Sequence, residues 1–572
     1  MTPSDVATRT WIERSDAIAR TTLETYFRFD PESGSMFGVP GSDERILDLD
    51  PDLEDRVVAA FTVRVESLRT ALAAEHDRFV HQDLALMIDA LERACERCRV
   101  ERARLLPYGD RLNLIFEGLR ILLDERNDAA RRALARGRLA LYAGLAPGTT
   151  PLLEAAAARY RERAGDPTLL GPYRGQVEKD RANAPELLAG IGPLFIAAGV
   201  DDWQEAHAAL TQQAAVYDAF VRDEVLPRAR ADFRLPPELY ALALRDYGVD
   251  LPAAELADRA EVAFREIQNE MQALAPLVAR ERGLAATDYR AVLAALKQEQ
   301  FVGEAILPHY IARLADLEAI IRREGIVSLP TRAASIRLAG PAESAASPAP
   351  HMDPPRMLGN TGERGVFVLP LAVPGRPGEA TLPYDDFTFE AASWTLTAHE
   401  ARPGHELQFA AMVEVGVSLA RQLFALNSTN AEGWGLYVEA EMKPYEPLEG
   451  QLVALQHRLM RAARAFLDPG LQSGTIAPAT VTRVLREDVV LSEAMALQEV
   501  ERYTFRAPGQ ATSYFCGYQR LMALRNEVER ILGPRFVRLR FHDFLLAQGL
   551  LPPGLLRRAV LEEFIPQEQA AP

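Results

Sequence analysis

DLALMIDALERACERCRVERARLL, residues 83–106, is the stretch on which the fold class turns. Apolar side chains at 84, 87, 88, 91, 95 and 98 follow the three- and four-residue spacing that lines one face of an α-helix. Charged residues fill the opposite face, and neither glycine nor proline interrupts. The same period extends both ways along the chain. VVAAFTVRVESLRTALAAEH (57–76) and DDWQEAHAALTQQAAVYDAFVRDEVL (201–226) carry it, and strong helix formers dominate from about residue 8 to residue 325. Turn signals divide the helices at DPESGS near 30, APGTT near 147, GDPTLLGPY near 165 and LPP near 235. No internal repeat emerges, and the heptads are too short for a coiled coil. Cys95 and Cys98 form a CxxC without a second pair or a preceding strand, so both are expected as ordinary thiols on a helix face.

A composition break follows at residues 328–378, rich in Pro, Gly, Ser and Ala. Within it only ASIRL and GVFVLPL read as strands. Helices resume from Asp385. The expected fold is therefore mainly α, large and two-lobed, with a small β element. Its parts are a helical N-terminal lobe (1–327), a loop and short β segment (328–384) and a second helical lobe (385–572).

With 572 residues the chain exceeds one ordinary domain of roughly 100–200 residues. A net charge of −17 argues against nonspecific binding to nucleic acid or to an anionic membrane. The polar start MTPSDVATRTWIERSD lacks the apolar core of a secretory signal, and no run of about 18 apolar residues occurs. Three cysteines fit a reducing compartment, and the expectation is a cytoplasmic protein.

The chemistry gathers in TAHEARPGHELQ, residues 397–408. It opens like the zinc motif HExxH, but the second histidine, His405, arrives six residues after His399. On a regular helix, residues six apart point about 240° apart and stand about 9 Å along the axis, so they cannot share a metal. Pro403 denies the helix its regularity, because it has no N–H and its ring clashes with the preceding turn. A two-residue bulge at Pro403–Gly404, with the helix continuing beyond, is expected to swing His405 back beside His399. Downstream, NSTNAEGWGLYVEAEMKP (427–444) reads as a helix capped by Asn430 or Thr429, with Glu432 in its first turn and Glu439 on the same face. Glu432 is the expected third ligand and Glu439 a supporting residue; His-His-Glu sites leave a fourth position to water. Taken alone, each acid also reads as a solvated helix face. Histidines 76, 81, 207, 309, 351, 457 and 542 lack such spacing; His542 is expected to be structural, bonded to Asp543 or backbone.

These motifs carry a resemblance. AEGWGLYVE is similar to a segment of gluzincin aminopeptidases whose first glutamate binds zinc. HEARPGHELQ together with AEGWGLYVE, RAARAFLDPGLQ (461–472), PGQATSYFCGYQRLMALR (508–525) and FHDFLLAQGLLPPGLL (541–556) resembles the bacterial domain-of-unknown-function family 885. Glu406 and Gln472 stand where family members carry histidine. The resemblance implies a metallopeptidase-like fold and a zinc-dependent hydrolase, a peptidase acting on short peptides. Its metal would be held by His399, His405 and Glu432, with Glu400 as general base. Tyr514 is the expected oxyanion donor, with Tyr503 and Tyr518 as alternatives. Arg461 and Arg464 are candidates for a substrate carboxylate; otherwise they pair with acids such as Asp468. The strand GVFVLPL is a candidate for backbone pairing with a peptide. Rival readings are a metal-dependent amidase or other small-metabolite hydrolase, and an inactive helical scaffold.

Overall fold

A computed structural model describes residues 10–373 and 382–570. The first nine residues of the polar N-terminus, and the PGRPG end of the composition break, lie outside the described residues. The fold is mainly α: 71% of it is helical, beside one three-stranded sheet. The opening stretch forms a single helix, Arg78–Arg104, whose N-terminus is capped by the Asp77 side chain accepting from Phe79 and Val80 N–H. Its buried face, Val80, Leu84, Met87, Leu91 and Cys95, packs with Val57, Phe61, Val65 and Leu68 of the helix Leu53–Ala74. Cys95 and Cys98 are free thiols on that helix, and burial pushes Cys98 up to about 11. They are side chains of a packed face. DPESGS, read as a turn, opens a helix instead: Asp30 accepts from Ser33 N–H and Pro31 sits in the first turn of Pro31–Phe37.

Eight helices build or hold the site: α1 (Pro237–Asp246), α2 (Ala253–Arg282), α3 (Ile306–Glu324), α4 (Glu390–Glu400), α5 (His405–Val415), α6 (Ser428–Met442), α7 (Leu448–Ser473) and α8 (Thr512–Leu532). Hydrophobic packing crosses the 327/328 boundary freely. One core joins Leu256, Phe264 and Met271 of α2 to Leu452, Leu459 and Leu467 of α7. Another joins the first helices to Phe409 and Met412 of α5. No helix among the described residues is long and apolar enough to cross a membrane.

The sheet holds β1 (Ser335–Leu338), β2 (His351–Asp353) and β3 (Val366–Leu369) in the order β1-β3-β2. β1 and β3 are the two strands expected from sequence, and they pair in parallel. β2, which pairs antiparallel with β3, was not expected, nor were the short β4 (Ala372–Val373) and β5 (Leu382–Pro383). Position in the sheet corrects the pairing role given to GVFVLPL. β3 is central and buried at all four residues, with both edges taken, so it has no free N–H or C=O row to offer a peptide.

Candidate functional site

α4 ends at Glu400, and the next four residues turn before α5 starts at His405. The helix is thus broken in two, where a bulge within a continuing helix was expected; the Arg402–Pro403 peptide bond is cis. Two side chains fasten the turn. Trp434 Nε1 donates to the Pro403 carbonyl at 3.0 Å. The buried Arg402 guanidinium donates to Glu406 (2.7 Å), Glu318 (2.6 Å) and the Arg332 carbonyl (2.5 Å). Glu406, where the resemblance implied a second histidine, therefore serves the turn. Gly404 folds back so tightly that a Cβ there would lie 1.8 Å from the His399 carbonyl oxygen. The break brings the two imidazoles together, with ring centroids 4.6 Å apart.

α6 supplies the third group. It starts at Ser428 with Asn427 as its cap, accepting from Asn430 N–H at 2.8 Å, so Asn430 and Thr429 lie inside the helix. Glu432 therefore sits one turn further in than expected. The two glycines of EGWG have different jobs. A Cβ on Gly435 would lie 2.5 Å from His399 Cε1, so the imidazole rests on bare backbone. A Cβ on Gly433 would lie 2.6 Å from the Gly517 Cα, so α6 and α8 cross in backbone contact there.

The ligand-type atoms of His399, His405 and Glu432 all lie within 4.8 Å of one another. Glu432 Oε2 stands 3.4 Å from His399 Nε2 and 3.2 Å from His405 Nε2. Around zinc at about 2.0–2.2 Å, neighbouring tetrahedral donors stand roughly 3.4 Å apart, so this donor set fits such an ion. Behind His399, Glu439 Oε1 meets Nδ1 at 2.7 Å, while Oε2 accepts from Thr395 at 2.8 Å. A carboxylate at Nδ1 leaves Nε2 as the ligating nitrogen. Arg461 lies 3.2 Å from the same Glu439 oxygen.

The charges are tightly coupled. Burial works against a charged His399, but the carboxylates of Glu432 and Glu439 close beside it outweigh this and carry it up to about 9. Burial also works against the Glu432 charge, yet His405 and His399 hold that carboxyl well below its usual range. Glu439, buried but beside Arg461 and His399, falls to about 2. Burial, then Arg461, push His457 down to about 3. Further along lies Glu446, with neither oxygen hydrogen-bonded among the described residues; burial, then Glu439, raise it to about 8. Glu400, next to His399, is 8% exposed, and no described side chain hydrogen-bonds its carboxylate.

Of the remaining candidates, Tyr514 stacks on His399 at 6.2 Å. Its oxygen accepts from Arg502 at 3.2 Å, and its own O–H donates to no partner among the described residues. Tyr503 donates to Glu499 at 2.6 Å, and Tyr518 faces Arg458. Arg464 gives both arms to Glu499 (2.7 and 2.6 Å), not to Asp468. Asp468 instead accepts from Tyr240 and from Gly509 N–H. Gln472, where the resemblance implied a histidine, donates to the Tyr503 carbonyl and accepts from Leu235 N–H, a structural use of the position. His542 bonds Tyr437 and the Ile326 carbonyl, and Asp543 bonds Ser328. Sequence reasoning missed Gln510, whose amide donates to Ser428 (3.0 Å) and reaches Glu432 (3.5 Å), and Arg502, which donates to Gln510 at 3.0 Å. Gln510 lies within the PGQ motif, which marked the place but not the partner, and Arg502 lies six residues before its proline. A second grouping, Glu343, His351 and Asp353, is already neutralised by Arg120 and Arg337.

The family of bacterial proteins of unknown function known as DUF885 matches residues 31–560. The chain belongs to DUF885. The likeness thus reaches well beyond the C-terminal motifs that first carried it. Among solved structures, this DUF885 protein resembles "the putative lipoprotein from Colwellia psychrerythraea" (TM-score 0.77, 17% identity, 97% of this chain and 99% of that one). It also resembles "a putative lipoprotein of unknown function from Shewanella oneidensis" (TM-score 0.70, 17% identity, 95% and 99%). At such identities the likeness speaks for the DUF885 fold alone. No curated protein matches the chain.

Proposed function

We propose that this protein is a zinc-dependent hydrolase, a peptidase that cleaves short peptides. The observation that carries the reading is the convergence of His399, His405 and Glu432 from three helices on one point, with Glu400 adjoining. Zinc bound there would supply a Lewis acid for the scissile carbonyl and lower the pKa of a water toward about 7. The rest falls to the chain itself. Glu439 holds the His399 ring and its tautomer. Glu400, with no competing hydrogen bond among the described residues, takes the proton of the attacking water and passes it to the leaving amine. Tyr514 directs its O–H at the developing oxyanion. Three free cysteines suit a reducing, cytoplasmic setting.

Metal content by mass spectrometry, wild type beside His405→Ala, tests the centre: about one zinc per chain, lost in the variant, is expected. A screen of short peptides against acyl-amino acids and other small amides, with and without chelator, then tests the substrate. Hydrolysis confined to the small amides would move the assignment to an amidase. A wild-type protein without metal would leave a helical scaffold.

A further inference from the structure

Three arginines surround Tyr514, and they differ in what they have left to give. Arg464 spends both arms on Glu499 and stacks over the Tyr514 ring at 4.4 Å. Arg461 is closed off behind His399, its Nε and Nη1 buried without a hydrogen bond. Arg502 is held on one side only. Its Nη1 donates to Gln510 (3.0 Å) and to Tyr514 (3.2 Å), and Nε lies 3.7 Å from the buried Glu499. Its Nη2 makes no hydrogen bond among the described residues, and the side chain stays 19% exposed. A fixed guanidinium with one unspent edge is a receptor for a planar anion.

Position says which anion. Arg502 is joined to Glu432 through a single side chain, Gln510, by contacts of 3.0 and 3.5 Å. A peptide advances at most about 3.3–3.6 Å per residue. A carboxylate one or two residues beyond the scissile bond therefore spans the gap. We propose that Arg502 receives the terminal carboxylate of the substrate, so that the protein acts on peptides with a free C-terminus and removes one or two residues from that end. This rests on the hydrolase reading above. It also moves the carboxylate role from Arg461 and Arg464, whose arms are occluded or taken, to a residue that had not been singled out.

The test compares acetylated tripeptides ending in a free acid with the same peptides ending in an amide. The wild-type protein should prefer the acid by about 10- to 100-fold in kcat/KM, the range for a charge-assisted pair. Arg502→Gln should erase that preference, raising KM for the acid far more than for the amide, while Arg502→Lys restores part of it. Equal cleavage of acid and amide by wild type would overturn the proposal. So would an equal loss on both substrates in Arg502→Gln, which would make Arg502 merely a support for Tyr514 and Gln510. If wild type cleaves neither, the hydrolase reading fails, and calorimetric binding of the same two peptides decides Arg502 alone. Tighter binding of the acid, abolished in Arg502→Gln, sustains the anion site; equal binding sinks it.

Discussion

His399 lies against a helix with no side chain beneath it, and that makes Gly435 the most sensitive position near the centre. In Gly435→Ala the imidazole must move, because the new methyl would sit 2.5 Å from its ring. Overpacking of this kind costs roughly 1–3 kcal/mol, so the protein should still fold. The expected result is a modest fall in melting temperature and a large fall in bound metal, read by thermal denaturation and mass spectrometry on the same preparation. Metal retained at wild-type level would show that His399 is not held by that surface. Glu446 allows a separate test at the same scale. Its folded pKa of about 8 lies above its ordinary value of 4.5, so the folded chain keeps a proton that the unfolded chain releases. Stability is then lost as pH rises from about 4.5 to 8. Glu446→Gln should match wild type near pH 5 and exceed it at pH 8, by on the order of 2–4 kcal/mol. Urea unfolding at the two pH values checks this; a difference independent of pH would rule it out.

Among the elements, the α6–α8 crossing bears the most on the site. Gly517 approaches so closely that a Cβ would stand 2.0 Å from the Thr429 carbonyl oxygen, a backbone atom that cannot rotate away. Gly517→Ala should push α8 off α6, destabilise by roughly 2–4 kcal/mol and separate Tyr514 from His399. Asp77→Ala is a suitable control: it removes a helix cap worth about 1 kcal/mol far along the chain and should leave metal content intact. Denaturation and metal analysis of the pair distinguish a site effect from general loosening. The elements also show what a sequence can disclose. Helices such as Arg78–Arg104 are legible because their burial follows the 3.6 period. Pro403 and Gly404 announce a disruption, but whether it bulges or breaks depends on Trp434, 31 residues away, and on the Arg332 carbonyl, 70 residues back. β2 is three residues long and gains its identity from β3. Gln510 and Arg502 carry no spacing signature, since their meaning lies in partners on other helices.

At the scale of the molecule, the half without recognisable motifs holds the half that has them. The Tyr247 carbonyl, just beyond α1, accepts from both Thr429 N–H and its hydroxyl at 2.8 Å, and Gly248 abuts Asn427 so closely that a Cβ would stand 2.6 Å from Oδ1. The fully buried Asp83 holds Arg421 and Ser418. A fragment of residues 328–572 should therefore expose large apolar faces and fail to bind metal, whereas the whole chain should unfold in one calorimetric transition that chelation shifts downward. A stably folded, metal-loaded fragment would contradict this.

The tether at Tyr247 has a consequence for how the protein is made. As the chain leaves the ribosome, the carbonyl that steadies the start of α6 emerges early, His399 and His405 later, and Gly517 and Tyr514 later still. No nascent fragment short of α8 has every wall of the site. Loading of the proposed ion would then be a closing event of biogenesis, performed on a nearly completed chain, and from their emergence until α8 arrives the two histidines would stand as open ligands.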